Sequence, residues 1–339
     1  RYRSDKGWKE IFSTTEKIEP PVLCGLGRDG QSLLVWFETG ERGYAEIDPQ
    51  GAVSRPFDLA SETYYPLFSQ RTYALAGFDS DRPFEAAVLF DPQMQALPGL
   101  VARALPGARN YLIDYAEDPR QLVVYSESPD EVGTYYFFNF VTGDYKELGS
   151  PYPDLSPGDI GTQTRFRYKA RDGLDIEAFV TLPPLSGGRN LPVVVLPHGG
   201  LDDYDEEGFD WMARAIASRG YAVVQPNYRG SGGYGRDFRE RGYGEMAGAV
   251  LDALSDAVAH LAAEGTVDGG RAAVVGRDYA GYLALAGVTV KPGAWRCAVS
   301  IGGISDVPGP NTWSSFWCEF WGPPHLHVRC CALVTAYIQ

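Results

Sequence analysis

β-rich runs of apolar and aromatic residues recur over much of the first 150 positions, and polar, turn-forming residues punctuate the runs at regular intervals. Residues 32–37 (Ser-Leu-Leu-Val-Trp-Phe) and 43–47 (Gly-Tyr-Ala-Glu-Ile) predict two strands joined through 38–42, with Asp48-Pro-Gln-Gly closing the second. The arrangement recurs at 72–78 and 85–90, around a polar Asp-Ser-Asp-Arg-Pro loop, and again at 121–127 and 133–140, before Thr142-Gly-Asp. A repeated meander of roughly 40 residues is the pattern of propeller blades, so residues 1–150 are expected to be all-β and to form part of a propeller. A closed propeller needs 4–8 blades, and a small β-sandwich is the alternative that the pattern leaves open.

The pattern changes at residues 150–158, Ser-Pro-Tyr-Pro-Asp-Leu-Ser-Pro-Gly, whose prolines cannot donate to a ladder and mark a linker at 151–159. Beyond it, 164–170 and 174–182 flank Arg171-Asp-Gly, a hairpin signal, and strands then alternate with helices. Continuous apolar runs at 192–196 and 221–225 suit strands buried on both faces, and strands are also expected at 271–275 and 297–301. Helical spacing covers 209–218, 247–263 and 281–290, with Gly220 and Gly265 as C-terminal stops. The alternation predicts a right-handed, mostly parallel sheet.

The third of those strands runs into Val274-Val-Gly-Arg-Asp-Tyr-Ala-Gly-Tyr, a Gly-x-Asp-x-Ala-Gly turn followed by a helix, which outlines a nucleophile elbow. Small residues at Gly276 and Ala280 leave room for the strained backbone that would lift Asp278 out of the sheet. In serine hydrolases that use this turn the middle residue is a Ser, whose hydroxyl attacks a carbonyl after a His takes its proton.

Four stretches in order carry a resemblance: Leu196-Pro-His-Gly-Gly, residues 217–235 with Asn227-Tyr-Arg-Gly-Ser-Gly-Gly-Tyr-Gly, the elbow, and Cys297-Ala-Val-Ser-Ile-Gly-Gly-Ile-Ser-Asp. Residues 160–306 resemble the catalytic domain of the prolyl oligopeptidase family of serine peptidases, acylaminoacyl-peptidase-like branch. The resemblance implies an α/β-hydrolase domain, incomplete here, preceded by a propeller that extends upstream of Arg1, and a short peptide or acyl-peptide substrate with no cofactor. It also implies that Asp278 stands at the nucleophile position and that the backbone amides of Tyr279 and Gly200 are the oxyanion donors. Such a pair is worth a few kcal/mol in the transition state whatever the side chain at 278.

The family's acid and His would follow on later elements, but after Asp306 the composition breaks. Residues 307–339 hold three of the seven Trp and three of the five Cys, and Glu319 and Arg329 are the charged residues there. This stretch is expected to be an aberrant tail without strand alternation, and His325 and His327 lie too close to the fourth strand to serve as the base.

Charge and cysteine usage narrow the remaining classes. A formal net charge of −14 repels nucleic acid and anionic lipid surfaces, and no apolar run of about 18 residues suggests membrane insertion. The cysteines Cys24, Cys297, Cys318, Cys330 and Cys331 lack metal-ligand spacing and form no even disulfide framework, so no metal is expected. The compartment, cytoplasmic or periplasmic and secreted, stays open. His198 reads as a structural hydrogen-bonding residue beside the oxyanion loop, and His260 as a surface residue in mid-helix. The glycines from Gly230 to Gly235, with Asp252 downstream, match a dinucleotide fingerprint, but residues 236–244 separate them from the next long helix, so nucleotide binding is not expected. The acidic run 202–207 reads as a solvated loop that helps to cap the helix at Phe209.

Three functions follow. The chain is a serine-peptidase-type hydrolase by ancestry that is inactive as it stands, since the nucleophile position is Asp and the acid and His are absent. Alternatively, Asp278 is itself the nucleophile, as in the haloalkane dehalogenases and epoxide hydrolases, which also need a His base. Or the chain is a non-catalytic peptide-binding module.

Overall fold

The computed structural model describes residues 2–4, 7–15, 20–37, 42–59, 64–80, 82–129, 131–200, 203–303 and 334–338. Contacts divide the chain into one unit of Arg1–Glu127 with Gly133–Pro153 and another of Ser128–Val132 with Asp154–Gln339.

The first unit is built from small antiparallel meanders. A two-stranded ribbon, β1 (Tyr2–Ser4) and β2 (Gly7–Lys9), precedes a three-stranded sheet of β3 (Val22–Leu26), β4 (Leu33–Phe37) and β5 (Gly43–Ile47). A second three-stranded sheet contains β6 (Tyr64–Phe68), β7 (Leu75–Ser80) and β8 (Val88–Leu89). The third has four strands in chain order: β9 (Arg109–Tyr115), β10 (Gln121–Ser128), β11 (Glu131–Asn139) and β12 (Asp144–Gly149). These are partial propeller blades. Their cores are aromatic: Phe78 is fully buried and meets Tyr44, Phe57 and Phe90 at centroid distances of 4.9, 5.1 and 6.0 Å.

Two features depart from the expected strands. The run at 85–90 opens in a 3-10 turn, Phe84–Ala86, that leaves only the two-residue strand β8, and α1 (Leu97–Ala104) interrupts the all-β region. In α1 the apolar residues fall at helical spacing, Leu97 and Val101 are buried, and Pro98 sits in the first turn, where a missing N–H costs nothing.

The second unit is a seven-stranded α/β-hydrolase sheet. Its strands are β13 (Thr162–Lys169), β14 (Asp175–Leu182), β15 (Leu191–Val195), β16 (Ala222–Pro226), β17 (Val267–Arg277), β18 (Cys297–Ile301) and β19 (Val334–Ile338). They are ordered β13-β14-β16-β15-β17-β18-β19, with β16, β15, β17 and β18 mutually parallel. The helices are α2 (Trp211–Ala217), α3 (Arg236–Glu240), α4 (Ala249–Ala263) and α5 (Tyr279–Val290). One face of α4 buries Val250, Leu251, Leu254, Val258 and Leu261, the i, i+3, i+4 stripe of an amphipathic helix. By contrast, α5 is apolar all round and is buried on every side from Tyr279 to Val288.

Part of the stretch expected to be an irregular tail forms β19, which pairs antiparallel with β18 from Cys297↔Ile338 to Ile301↔Val334. Val334-Thr-Ala-Tyr-Ile is β-rich in itself, which accounts for the pairing. His325, His327 and Ser305 lie outside the described residues.

Candidate active site

The turn between β17 and α5 has the strain that its sequence implies. Asp278 has φ 53° and ψ −115°, a left-handed backbone that costs a non-glycine residue of order 1–3 kcal/mol. Close packing enforces it. A Cβ on Gly276 would overlap the backbone carbonyl of Ala280, and one on Gly281 would come within 2.6 Å of the Gly303 Cα. The Asp278 amide donates to Ile301 O at 3.0 Å, and Gly281 N donates back to Asp278 O at 3.1 Å, locking the turn against the end of β18. The carboxylate of Asp278 is 72% exposed and pairs with Arg277 Nε at 3.3 Å. Tyr279, the first residue of α5, is buried and turns its hydroxyl to the Met246 sulfur.

A cleft of about 320 Å³ lies beside Asp278, and His198 and Gly199 are on its wall together with Asp203, Asp205, Asp210 and Gln225. Of the residues expected to act together, Asp278 borders this cleft, whereas Tyr279 and Gly200 are not among the residues that line it. Gly200 follows the loop after β15, where the neighbouring Gly199 amide donates to Asp203 Oδ2 at 3.2 Å.

His198 sits in a closed polar cluster. Its ring stacks on Tyr228 at 4.2 Å, the Tyr228 hydroxyl donates to His198 O at 3.1 Å and lies 3.3 Å from Nδ1, and Nε2 is 2.6 Å from Ser231 Oγ. Ser231 is wholly buried and gives its one hydroxyl proton to Tyr228 O at 2.6 Å. Nε2 therefore carries the proton in the His198–Ser231 contact. An imidazole that donates to a serine is not removing that serine's proton, so this pair is structural. Burial pushes the His198 pKa down to about 4, with the nearby Asp203 carboxylate opposing the shift.

The glycine-rich loop is similarly self-satisfied. Gly230 N donates to Phe238 O and Gly232 N to Asp203 O. A short helix, the five-residue α3, opens directly at Gly235, but residues 236–244 still lie between the glycines and the next long helix, α4. Asp252 is instead paired with Arg171 and Lys291, at 2.8 and 2.7 Å. His260 is half-buried and stacks on Phe166. Among the described residues, no group of three His, Cys, Asp or Glu is placed to hold a metal ion, and no helix is long and apolar enough to cross a membrane.

The acidic loop differs most from its expected role. Asp210, just beyond it, caps α2 by accepting from Ala213 N at 2.8 Å, and Asp205 is folded inward, where Asn227 bonds to both its N–H and its carbonyl. The helix cap was readable as an Asp preceding an apolar run; the inward turn of Asp205 depends on Asn227 of another segment and has no local signal.

Residues 207–326 match the model of the prolyl oligopeptidase family. The dipeptidyl aminopeptidase BIII of Pseudoxanthomonas mexicana is 33% identical over 213 residues, which are 59% of this chain and 31% of that protein. The acylamino-acid-releasing enzyme of Sus scrofa is 27% identical over 184 residues, 51% of this chain and 24% of its own. The chain thus spans between about a quarter and a third of these curated relatives. A puromycin-hydrolyzing peptidase of Mycobacterium tuberculosis superposes with a TM-score of 0.60 at 22% identity, over 85% of this chain and 45% of that one, a likeness of fold.

Proposed function

This chain is a relative of the prolyl oligopeptidase family, and on that premise we propose that its α/β unit is a serine-peptidase-type hydrolase scaffold. Its cleft accommodates a short peptide or acyl-peptide, and the nucleophile's place is taken by Asp278. The observation that carries this reading is the backbone of residue 278: φ 53° and ψ −115° at a strand-to-helix turn, with Gly276 and Gly281 too crowded for a side chain. Strain of this kind serves to present one side chain, and the side chain presented is a carboxylate. The amides of Tyr279 and Gly200 remain the oxyanion donors in this reading.

As it stands the chain does not hydrolyse peptides. A serine alkoxide equivalent requires a base within hydrogen-bond reach, and the imidazole of His198 is spent on Ser231. Because the members of a triad act as a unit, Asp278→Ser alone leaves acyl-peptide turnover at background. Turnover returns when the same substitution is joined to a family-like C-terminal segment that supplies an acid and a His. Assay of both variants with chromogenic acyl-peptides tests this, and family-level turnover by the single variant would overturn it. Attack by Asp278 on alkyl halides or epoxides meets the same lack of a free imidazole beside the cleft among the described residues. Trapping of an ester on Asp278 with either substrate would establish that second reading instead.

A further inference from the structure

The cleft beside Asp278 contains a hydrogen-bond acceptor without a donor. Gln225 is 2% exposed, and its Nε2 donates to Asp205 Oδ1 at 2.9 Å and to Asp210 Oδ2 at 3.2 Å. Its Oε1 is enclosed and has no partner among the described residues. An enclosed acceptor left open on the wall of the cleft is a costly arrangement, of order 1–3 kcal/mol, and it calls for a ligand that brings an N–H donor.

The charge agrees. Asp203, Asp205 and Asp210 all line the cleft, and the cation on its wall, Arg277, pairs with Asp278. Burial, reinforced by Asp210 and Asp203, holds the Asp205 carboxyl well above the ordinary carboxylate range, the state of a group that lacks a cation. Trp211, 52% exposed at the same cleft, offers an indole face suited to a cation. The carboxylates are not gathered tightly enough for a metal ion, which favours a cation whose donors spread over several ångströms.

We propose that Asp203, Asp205, Asp210, Gln225 Oε1 and Trp211 form a subsite for an organic cation, the ammonium or guanidinium group of a peptide lying beside residue 278. The proposal rests on the peptide-binding reading of the cleft and adds the chemistry of the peptide. It assigns a donor to the open Gln225 Oε1 and a countercharge to Asp203 and Asp210.

Calorimetric titration of the full chain with four peptides differing only in charge tests it: a neutral N-acetylated peptide amide, the same peptide with a free amino terminus, and N-acetylated forms carrying one Lys or one Arg. At least one cationic peptide is expected to bind about tenfold more tightly than the neutral one, and the arm that wins identifies the source of the cation. The preference should shrink with added salt and fall to within about twofold in Asp203→Asn/Asp210→Asn. Asn at 210 still caps α2, and an unchanged thermal midpoint verifies that the double variant is folded. Binding of the neutral peptide with no cationic preference, or a preference that survives the double substitution, overturns the subsite and leaves the peptide cleft standing. Failure of every peptide to bind overturns both.

Discussion

Two places in the α/β unit each carry half of what a serine nucleophile requires. At residue 278 the backbone is strained and the side chain is open to solvent, but the group presented is a carboxylate. At Ser231 a hydroxyl lies 2.6 Å from an imidazole, but the serine is wholly buried, its proton points to a carbonyl, and its backbone is ordinary. A Ser–His distance alone therefore says little about catalysis. Access, the direction of the proton and the strain of the turn distinguish a reacting group from a structural one.

Four measurements would break or sharpen this contrast. The largest effect is expected at the elbow itself. Gly276→Ala would force a methyl into the Ala280 carbonyl, backbone that cannot move aside, and should cost at least about 3 kcal/mol in denaturant unfolding. A loss below about 1 kcal/mol would mean that the turn is not held by close packing.

The next concerns His198, whose pKa is depressed from 6.5 to about 4. The unfolded chain binds its proton first as pH falls, so the stabilisation from the neutral imidazole is complete above about 6.5 and is lost as pH drops toward about 4. The span corresponds to roughly 3 kcal/mol. His198→Gln should flatten this part of the stability–pH profile relative to the parent. An equal slope in both proteins would remove His198 from the buried, neutral state assigned to it. The smallest effect is Ser231→Ala, about 1–3 kcal/mol from stranding the imidazole N–H. A fluorophosphonate probe should leave Ser231 unlabelled, and a labelled peptide containing it would erase the distinction between the two places.

Much of this was legible because the signals are local. Apolar runs ending in Gly or Pro gave β15, β16 and β18 to within a residue and β17 too short, by four residues at its start, and Gly276-Arg-Asp-Tyr-Ala gave the elbow. The boundaries that slipped have physical causes. Helix α5 begins at Tyr279 rather than 281 because the elbow feeds directly into it, and α1 was hidden by Pro98 and Gly99, which look like a loop. The acidic wall of the cleft escaped notice because Asp205, Gln225 and Asn227 come together only through the packing of the 203–210 loop on β16 and the residue beyond it. Spacing along the chain carries no record of such a meeting. Nor does it reveal that Ser231 approaches His198, 33 positions away.

The strand order has a consequence for how the unit is made. Strand β15 ends up between β16 and β17, both of which are synthesised after it. When β15 leaves the ribosome, neither of its eventual neighbours exists, and the apolar run Pro192-Val-Val-Val has both hydrogen-bonding edges bare. Pairing with β16 closes one edge, and the other waits for roughly 45 further residues until β17 arrives. Long-range parallel pairing of this kind is slow and leaves the nascent sheet open to association with other chains. The strand that leads into the elbow is thus also the one that seals the centre of the sheet, so assembly of the middle of the fold and creation of the strained turn fall in the same late step.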